Sequence, residues 1–226
     1  MSQAAAPFAF LDVKALRRRF KAVCTATENR HQNFQIRVHR SLSWFERAVE
    51  LDEESHPDGR LLYGWIALNA LYGAWDDATH FAARDMESCK KFLSRLVSSD
   101  SEGVLGHELN NLRAEVIAIL ENKFLDPIFW RDPKSPGNTK AKSRRAPGLY
   151  YEKRWCDLLI YTVERIYVLR GQIVHGASTR GSRLNRATLA RCRKVLEALM
   201  AAILPLVIER MAHDDWPPLC YPPIEE

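Results

Sequence analysis

Apolar side chains recur every three or four positions in several long segments of this chain, which is the spacing of one face of an α-helix. The first clear case runs from about residue 33 to residue 51. Its apolar stripe consists of Phe34, Val38, Leu42, Phe45 and Val49. The other face carries the charged residues Arg37, Arg40, Glu46, Arg47 and Glu50. The pattern predicts an amphipathic helix.

The segment from residue 61 to residue 75, LLYGWIALNALYGAW, is apolar on nearly all sides. A helix of this kind is typical of the centre of a protein, where every face packs against a neighbour. Asn69 is its strongly polar residue. A buried amide needs hydrogen-bond partners, so we expect a structural role for Asn69 before a direct role in a site.

Helical periodicity also predicts further helices at about residues 14–23, 81–97, 104–122, 151–175 and 185–211. No pair of strands and no internal repeat is evident. The predicted fold class is therefore all-α, a single helical bundle of five to six helices. We expect residues 1–12 to be a disordered tail and residues 13–226 to form one helical domain.

Two segments do not follow a helical pattern. Residues 126–148 contain four prolines, two glycines and many basic residues, which predicts a long basic loop inserted at about residues 126–150. Between Arg131 and Arg154 there are eight basic and two acidic residues. The C-terminal HDDWPPLCYPPIEE also holds four prolines, and we expect an extended strap that packs through Trp216 and Tyr221.

Composition narrows the class of protein. The 226 residues carry a formal net charge of +5, which permits a polyanionic partner without requiring one. The five cysteines are scattered and form no CxxC pair, which favours a reducing compartment over disulfides or zinc. No secretory signal is evident, and the apolar stretch at residues 196–208 is too short to span a bilayer. We therefore expect a cytoplasmic protein without a membrane partner.

Common catalytic motifs are missing from the sequence. It contains no Walker loop, GxGxxG, HExxH or GxSxG, and its seven histidines do not have metal-ligand spacing, so we predict neither a metal nor a cofactor. The segment that remains of interest is ERIYVLRGQIVHG at residues 164–176, which ends a predicted helix. It places Arg170 five residues before His175, and Gly176 stands where a left-handed helix cap is expected.

The chemistry of this pair is clear, but its geometry is not. A histidine titrates near neutrality and can move a proton at a ribose 2′-hydroxyl, while an arginine can hold a phosphate. Five residues of helix separate Arg170 and His175 by about 140° around the axis and about 7.5 Å along it. They converge only if the helix loosens or if two copies of the chain meet. The spacing also fits a capping histidine beside a surface arginine.

Four segments resemble those of small HEPN-domain proteins. They are SLSWFERA at residues 41–48, WIALNALYG at 65–73, LRGQIVHGA at 169–177 and DDWPPLCYPP at 214–223. The third segment is similar to the R-x4-H motif of the HEPN superfamily, which is carried by a late helix of an all-α bundle. The resemblance extends from about Phe34 to Pro223.

The resemblance implies a metal-independent endoribonuclease with Arg170 and His175 as its catalytic residues. HEPN proteins of this kind commonly form homodimers in which two motifs share one cleft, and many are toxins or defence effectors. The reaction implied is attack of the 2′-hydroxyl on the adjacent phosphate. An antitoxin or a sensor protein is a further partner that the resemblance suggests.

RNA binding is predicted around this motif, where basic residues are dense. No acidic residue lies between His175 and Lys194, and phosphates bind clustered cations without regard to base sequence. The candidate RNA-binding residues are Arg144, Arg145, Arg180, Arg183, Arg186, Gln172 and Tyr151. A solvated basic surface is the alternative for the arginines, and a core position is the alternative for the tyrosine.

One position departs from the family pattern. Active HEPN members often carry a polar residue directly after the motif arginine, whereas this chain has Gly171. Two other functions therefore stay open beside the ribonuclease. One is a non-catalytic HEPN module that binds RNA or a nucleotide, and the other is a helical scaffold that partners another protein.

Overall fold

The computed structural model describes residues 12–27, 31–134, 146–177 and 185–222, and this part of the chain is all-α. Its first six helices are α1 (Val13–Ala26), α2 (Gln32–Glu50), α3 (Pro57–Tyr72), α4 (Asp85–Ser99), α5 (Val104–Asn111) and α6 (Arg113–Glu121). A 3₁₀ turn (Lys123–Leu125) is followed by α7 (Pro127–Arg131), α8 (Ala146–Tyr151), α9 (Trp155–Val174) and α10 (Arg186–Arg210). The all-α class is confirmed. The prediction of five to six helices was too low, because the described residues form ten α-helices.

The two helices with the clearest sequence patterns form the centre of the core. The predicted stripe of α2 is buried, with Phe34 and Phe45 almost fully covered and Val49 partly covered. Helix α3 buries residues on several faces and packs against both α2 and α10. Helix α10 is the longest and supplies thirteen buried residues along its length. The apolar stretch at residues 196–208 is thus part of the core, as expected.

The helix predicted at residues 61–75 ends early, and the helix predicted at residues 81–97 begins late, at Asp85. Helix α3 stops at Tyr72, where the Gly73 amide donates to the Asn69 carbonyl at 2.7 Å. A short antiparallel hairpin follows, in which β1 (Trp75–Asp76) pairs with β2 (Phe81–Ala82). The expectation of no strand pair was therefore wrong, because two-residue strands are too short to show an alternating pattern.

The helix predicted at residues 104–122 is divided in two at Leu112. The Leu109 carbonyl, near the end of α5, accepts a hydrogen bond from the Tyr150 hydroxyl at 2.9 Å. A residue 41 positions away thus occupies an acceptor that an unbroken helix would use internally. Sequence periodicity, which stays helical across Leu112, does not indicate this break.

The predicted loop at residues 126–150 contains two short helices. Pro127 occupies the first turn of α7, and the Asp126 side chain accepts from the Ile128 amide at 2.9 Å as an N-cap. Ala146–Tyr151 forms α8, whose Leu149 and Tyr150 are buried. The loop prediction was wrong over these residues, and residues 135–145 lie outside the described part. The predicted tail lies outside it too, except for Asp12, which caps α1.

The C-terminal strap packs on α2 and α4, as predicted for Trp216. The Trp216 ring is buried, and its indole nitrogen donates to the Met211 carbonyl at 3.0 Å. Tyr221 is 71% exposed and meets the Trp75 ring only at its edge, so it does not anchor the strap. No helix within the described ranges is both long enough and apolar enough to cross a membrane.

Arg37 lies on the charged face of α2 opposite the apolar stripe, yet it is buried. Only 1% of the residue is exposed, because the strap lies over it. One terminal nitrogen of its guanidinium donates to the carbonyls of Leu71 and Gly73 at 3.2 and 2.6 Å. The other donates to Pro217 and Pro218 at 3.0 and 2.9 Å. Burial lowers the pKa of Arg37 to about 10.

Candidate functional site

The motif helix ends in a closed C-cap. Gly176 takes the left-handed conformation with φ 69°, as the sequence predicted. Its amide donates to the Ile173 carbonyl at 3.1 Å, and the Ala177 amide donates to Gln172 at 2.8 Å. These two bonds form a Schellman motif, which satisfies carbonyls that a helix end otherwise leaves unpaired. The cap therefore sets the direction of the chain at His175 without using any motif side chain.

Arg170 lies half-buried on the last turns of α9. Its guanidinium carbon is 5.8 Å from the centre of the Tyr167 ring, one helical turn before it. Tyr167 in turn contacts the buried ring of Trp65 in α3, with centroids 5.6 Å apart. No hydrogen bond or salt bridge joins the Arg170 guanidinium to any residue in the described ranges. The ring contact positions this cation, and its hydrogen-bond donors stay free for a ligand.

His175 occupies the C-cap position of α9 and is exposed to solvent. Its backbone amide donates to the Gly171 carbonyl at 2.9 Å, and its imidazole bonds to none of the residues that the structure describes. Since the helix stays regular from Arg170 to Val174, the side chains of Arg170 and His175 keep the angular separation expected from helix geometry. Within one copy of the chain no hydrogen bond joins these two described residues.

Gly171 leaves open space beside the motif. A Cβ built at this position meets no atom of another residue within 4 Å. The glycine is therefore not required for close packing in this chain. The Cβ of a polar side chain of the kind that the resemblance leads one to expect would meet no described neighbour outside the helix backbone.

The side-chain amide of Gln172 forms one hydrogen bond within the protein. Its nitrogen donates to the Phe124 carbonyl at 2.9 Å, which ties α9 to the 3₁₀ turn that precedes α7. The prediction that Gln172 contacts RNA stays a prediction, now limited to the amide oxygen. The bond also brings the segment after α6 next to the motif.

The other predicted RNA-binding residues fall into two groups. Arg144, Arg145, Arg180 and Arg183 lie outside the described residues. Tyr151 is 90% exposed at the end of α8, so the core position considered for it is wrong. Arg186 is exposed at the first position of α10.

Tyr150 and Asn185 lie before and after the motif helix in the sequence. Tyr150 is buried and shares an edge contact with Trp155, so of the two adjacent tyrosines only Tyr151 presents its ring to solvent. Asn185 stands at the N-cap of α10, but it has a left-handed φ of 66° and makes no side-chain capping bond. Asparagine is a common N-cap residue, so the sequence predicts a side-chain cap at Asn185, and this prediction is wrong.

Asn69 has the structural role predicted for it. Its amide nitrogen donates to the Tyr72 hydroxyl at 3.1 Å and to Asp85 at 2.9 Å, and Tyr72 donates to the same carboxylate at 2.7 Å. Burial raises the pKa of the Tyr72 hydroxyl, so it remains a donor. The three side chains join the end of α3 to the start of α4.

A set of exposed rings beside the motif was missed by the sequence analysis. Phe124 and Trp130 are 44% and 53% exposed, and Phe129 lies between them. The sequence did contain an indication: KFLDPIFWRD at residues 123–132 combines aromatic and basic residues with an Asp-Pro pair that is typical of a helix start. It was overlooked because the segment was interpreted as part of a basic loop.

Metal ligands do not cluster in the described part of the chain, where no three histidine, cysteine, aspartate or glutamate side chains are placed to share an ion. The five cysteines are free thiols, and burial raises the pKa of Cys89 and of Cys192.

Comparison with known proteins adds no relative to this description: no family model, no curated protein and no solved structure matches the chain.

Proposed function

We propose that this protein is a HEPN-type endoribonuclease that cleaves RNA without a metal ion, with Arg170 and His175 as its catalytic residues. The observation that carries the proposal is the state of this pair at the end of α9. Arg170 is positioned by a ring but bound by no described carboxylate or carbonyl, and the exposed imidazole of His175 has no partner among the described residues. Side chains that serve stability alone are normally engaged, as Arg37 is.

The proposed chemistry divides between the two residues. Neutral His175 accepts the proton of a ribose 2′-hydroxyl while that oxygen attacks the adjacent phosphorus. The bond from phosphorus to the 5′-oxygen breaks, and this oxygen takes a proton from an imidazolium. Arg170 neutralises the charge that develops on the phosphate oxygens. The products are a 2′,3′-cyclic phosphate and a 5′-hydroxyl, so the atoms balance without a metal.

A homodimer is part of the proposal because one chain does not join the pair. The exposed residues at the end of α9 include Val174, which is 54% exposed, beside His175. An apolar residue next to a catalytic group is suited to burial against a second copy. Two motifs facing each other would place one imidazole as the base and the other as the acid. A toxin or defence role follows from the resemblance alone.

The first test is cleavage of labelled total RNA and tRNA in EDTA by the wild-type chain and by two variants. We expect His175→Ala to lower the rate by about 100-fold or more, which is the usual contribution of a general acid or base. We expect Arg170→Ala to lower it by about 100-fold or more as well, because a donor that stabilises transition-state charge is lost. Cyclic phosphate ends on the fragments identify 2′-hydroxyl attack. Wild-type cleavage by either variant would disprove the assignment of that residue.

Two matched controls separate chemistry from surface charge. Arg113 lies over the Tyr150 ring at 4.8 Å, the same type of contact that Arg170 makes, and His39 is an exposed histidine on α2. We expect Arg113→Ala and His39→Ala to cleave at the wild-type rate. A loss equal to that of the motif variants would point to general charge or stability instead.

The second candidate function is a non-catalytic HEPN module that binds RNA. Gly171 favours it, because no side chain occupies the space after the motif arginine. This function predicts RNA binding that weakens with salt and no cleavage under any condition. Binding that is constant from low to high salt would contradict it.

A further inference from the structure

Two exposed aromatic rings and a half-buried one form a surface next to the motif helix. We call Phe124, Phe129 and Trp130 the aromatic platform. Neighbouring rings meet edge to face, with centroids 5.4 Å apart for Phe124 and Phe129 and 5.2 Å apart for Phe129 and Trp130. Exposed aromatic rings are costly in water, so a cluster of them outside the core marks a binding surface.

The platform is held rigidly by the backbone beneath it. The Phe124 carbonyl accepts the indole N–H of Trp130 at 2.8 Å and the amide of Gln172 at 2.9 Å. Asp126 caps α7 and forms a buried salt bridge with Arg165 of α9 at 2.9 Å. A ring that is fixed in place loses little conformational freedom on binding, which favours affinity.

These bonds attach the platform to the motif. Gln172 lies between Arg170 and His175 in the sequence, and Arg165 lies one and a half turns before Arg170 on the same helix. Any shift of the platform therefore acts on α9 through two direct contacts. A ligand on the rings is held beside the end of the helix that carries the proposed catalytic pair.

The charge of this surface is positive. The Lys123 ammonium lies 4.9 Å from the centre of the Phe124 ring and 5.7 Å from that of Phe129. Arg131 and Lys134 are exposed, and neither forms a salt bridge within the described ranges. Asp126 is paired with Arg165 in a salt bridge. Asp132 is therefore the exposed carboxylate between Lys123 and Lys134.

We propose that the aromatic platform binds unpaired bases of single-stranded RNA, so that the substrate of the motif is an unpaired segment. This inference rests on the proposed function. A flat exposed ring stacks on any unpaired base, while the neighbouring cations contact the phosphates. In a duplex the bases are already stacked on each other and do not reach a protein ring. The combination of rings and cations favours RNA over a second copy of the chain, which carries the same positive charge on this surface.

The test is RNA binding by the full chain carrying His175→Ala, so that cleavage does not interfere. The probe is a fluorescent 12-nucleotide oligoadenylate, compared with the same strand paired to oligouridylate. We expect Phe124→Ala and Trp130→Ala each to weaken single-strand binding by roughly 5- to 150-fold, since one stacked base contributes about that factor. Duplex binding should change less than 3-fold. Phe81→Ala, which removes a 73% exposed ring on the hairpin, is the control and should bind as the parent does.

Salt dependence separates rings from cations. We expect Lys123→Gln and Arg131→Gln each to reduce the slope of log affinity against log salt by about 0.7, because each removes one phosphate contact to a single strand. The ring variants should keep the slope of the parent. Trp130→Phe retains a stacking ring and should recover most of the affinity that Trp130→Ala loses.

Each result decides between named alternatives. Unchanged single-strand binding by both alanine variants overturns the platform, whether or not wild-type protein cleaves RNA. Loss of binding in a chain that never cleaves supports the platform and contradicts the proposed ribonuclease activity. If sedimentation shows that the ring variants become monomeric while RNA binding is unchanged, the rings form the dimer contact and the inference is wrong.

Discussion

The strap and the end of the motif helix use arginine in opposite ways. Arg37 is buried under the strap, and its two terminal nitrogens donate to four carbonyls. Arg170 lies at the surface against one ring and donates to no described residue. The same side chain therefore serves as an internal clamp in one region and remains free for a ligand in the other.

The difference shows which arginines in a basic protein are available for a polyanion. Arg40 and Arg95 also donate to carbonyls of the strap, and Arg165 pairs with Asp126 inside the protein. These cations contribute to net charge, but each of them donates to an acceptor of this chain. Among the described residues, Arg131 and Lys134 near α7 and Arg170 near the end of α9 form no salt bridge.

Replacing Arg37 should have the largest effect on the free energy of unfolding. We expect Arg37→Met to lower the free energy of unfolding by roughly 3–5 kcal/mol, because four carbonyls lose a charged donor at once. The measurement is the urea midpoint at constant slope. Arg170→Ala is the matched variant and should change stability by about 0.5 kcal/mol or less. Equal effects of the two substitutions would show that the strap is not held by Arg37.

A buried carboxylate without a full set of partners sharpens the contrast. Glu108 is 2% exposed, and one of its oxygens has no hydrogen-bond partner among the described residues. Burial raises the pKa of Glu108. The folded state thus binds more protons than the unfolded state, and stability falls as pH rises from the unfolded pKa through the folded one.

We expect Glu108→Gln to stabilise the protein by about 1 kcal/mol at pH 7.5, because a neutral amide loses less than a carboxylate on burial. At pH 4, where Glu108 is protonated in the folded state, the gain should shrink towards zero. Thermal melts of both proteins at the two pH values measure the difference. A gain that is the same at both values would exclude titration of Glu108 as its cause.

The smallest expected effect lies at the motif itself. Gly171 is inside α9 with open space around it, so Gly171→Ala should raise the free energy of unfolding by about 0.5–1 kcal/mol through helix propensity. Gly171→Asn tests function in the same space, and we expect faster RNA cleavage than in wild type. Destabilisation by the alanine would show that the helix end depends on glycine.

Local patterns predicted helices well wherever burial followed a simple period. The stripe of α2, the all-round apolar α3 and the left-handed cap at Gly176 are as expected, because each depends on neighbours within a few residues. The hairpin and the break at Leu112 were missed. The first is too short to show a pattern, and the second lies in a segment whose apolar period continues across it.

The candidate site divides in the same manner. Arg170 and His175 stood out in the sequence as residue types at a spacing, and the angle between them followed from helix geometry. Their lack of partners was not evident, since any distant carboxylate could have bound Arg170. The aromatic platform was missed because only the fold places Phe124 against Gln172.

By itself, the sequence determined the all-α class, the helices that form the core and the residues worth testing at the end of α9. Only the tertiary structure decided which charged groups are occupied and which are free. The physical reason is the range of the forces involved. Helix formation and capping act over a few neighbouring residues, whereas the burial of Arg37 depends on carbonyls that lie up to 181 positions away in the sequence.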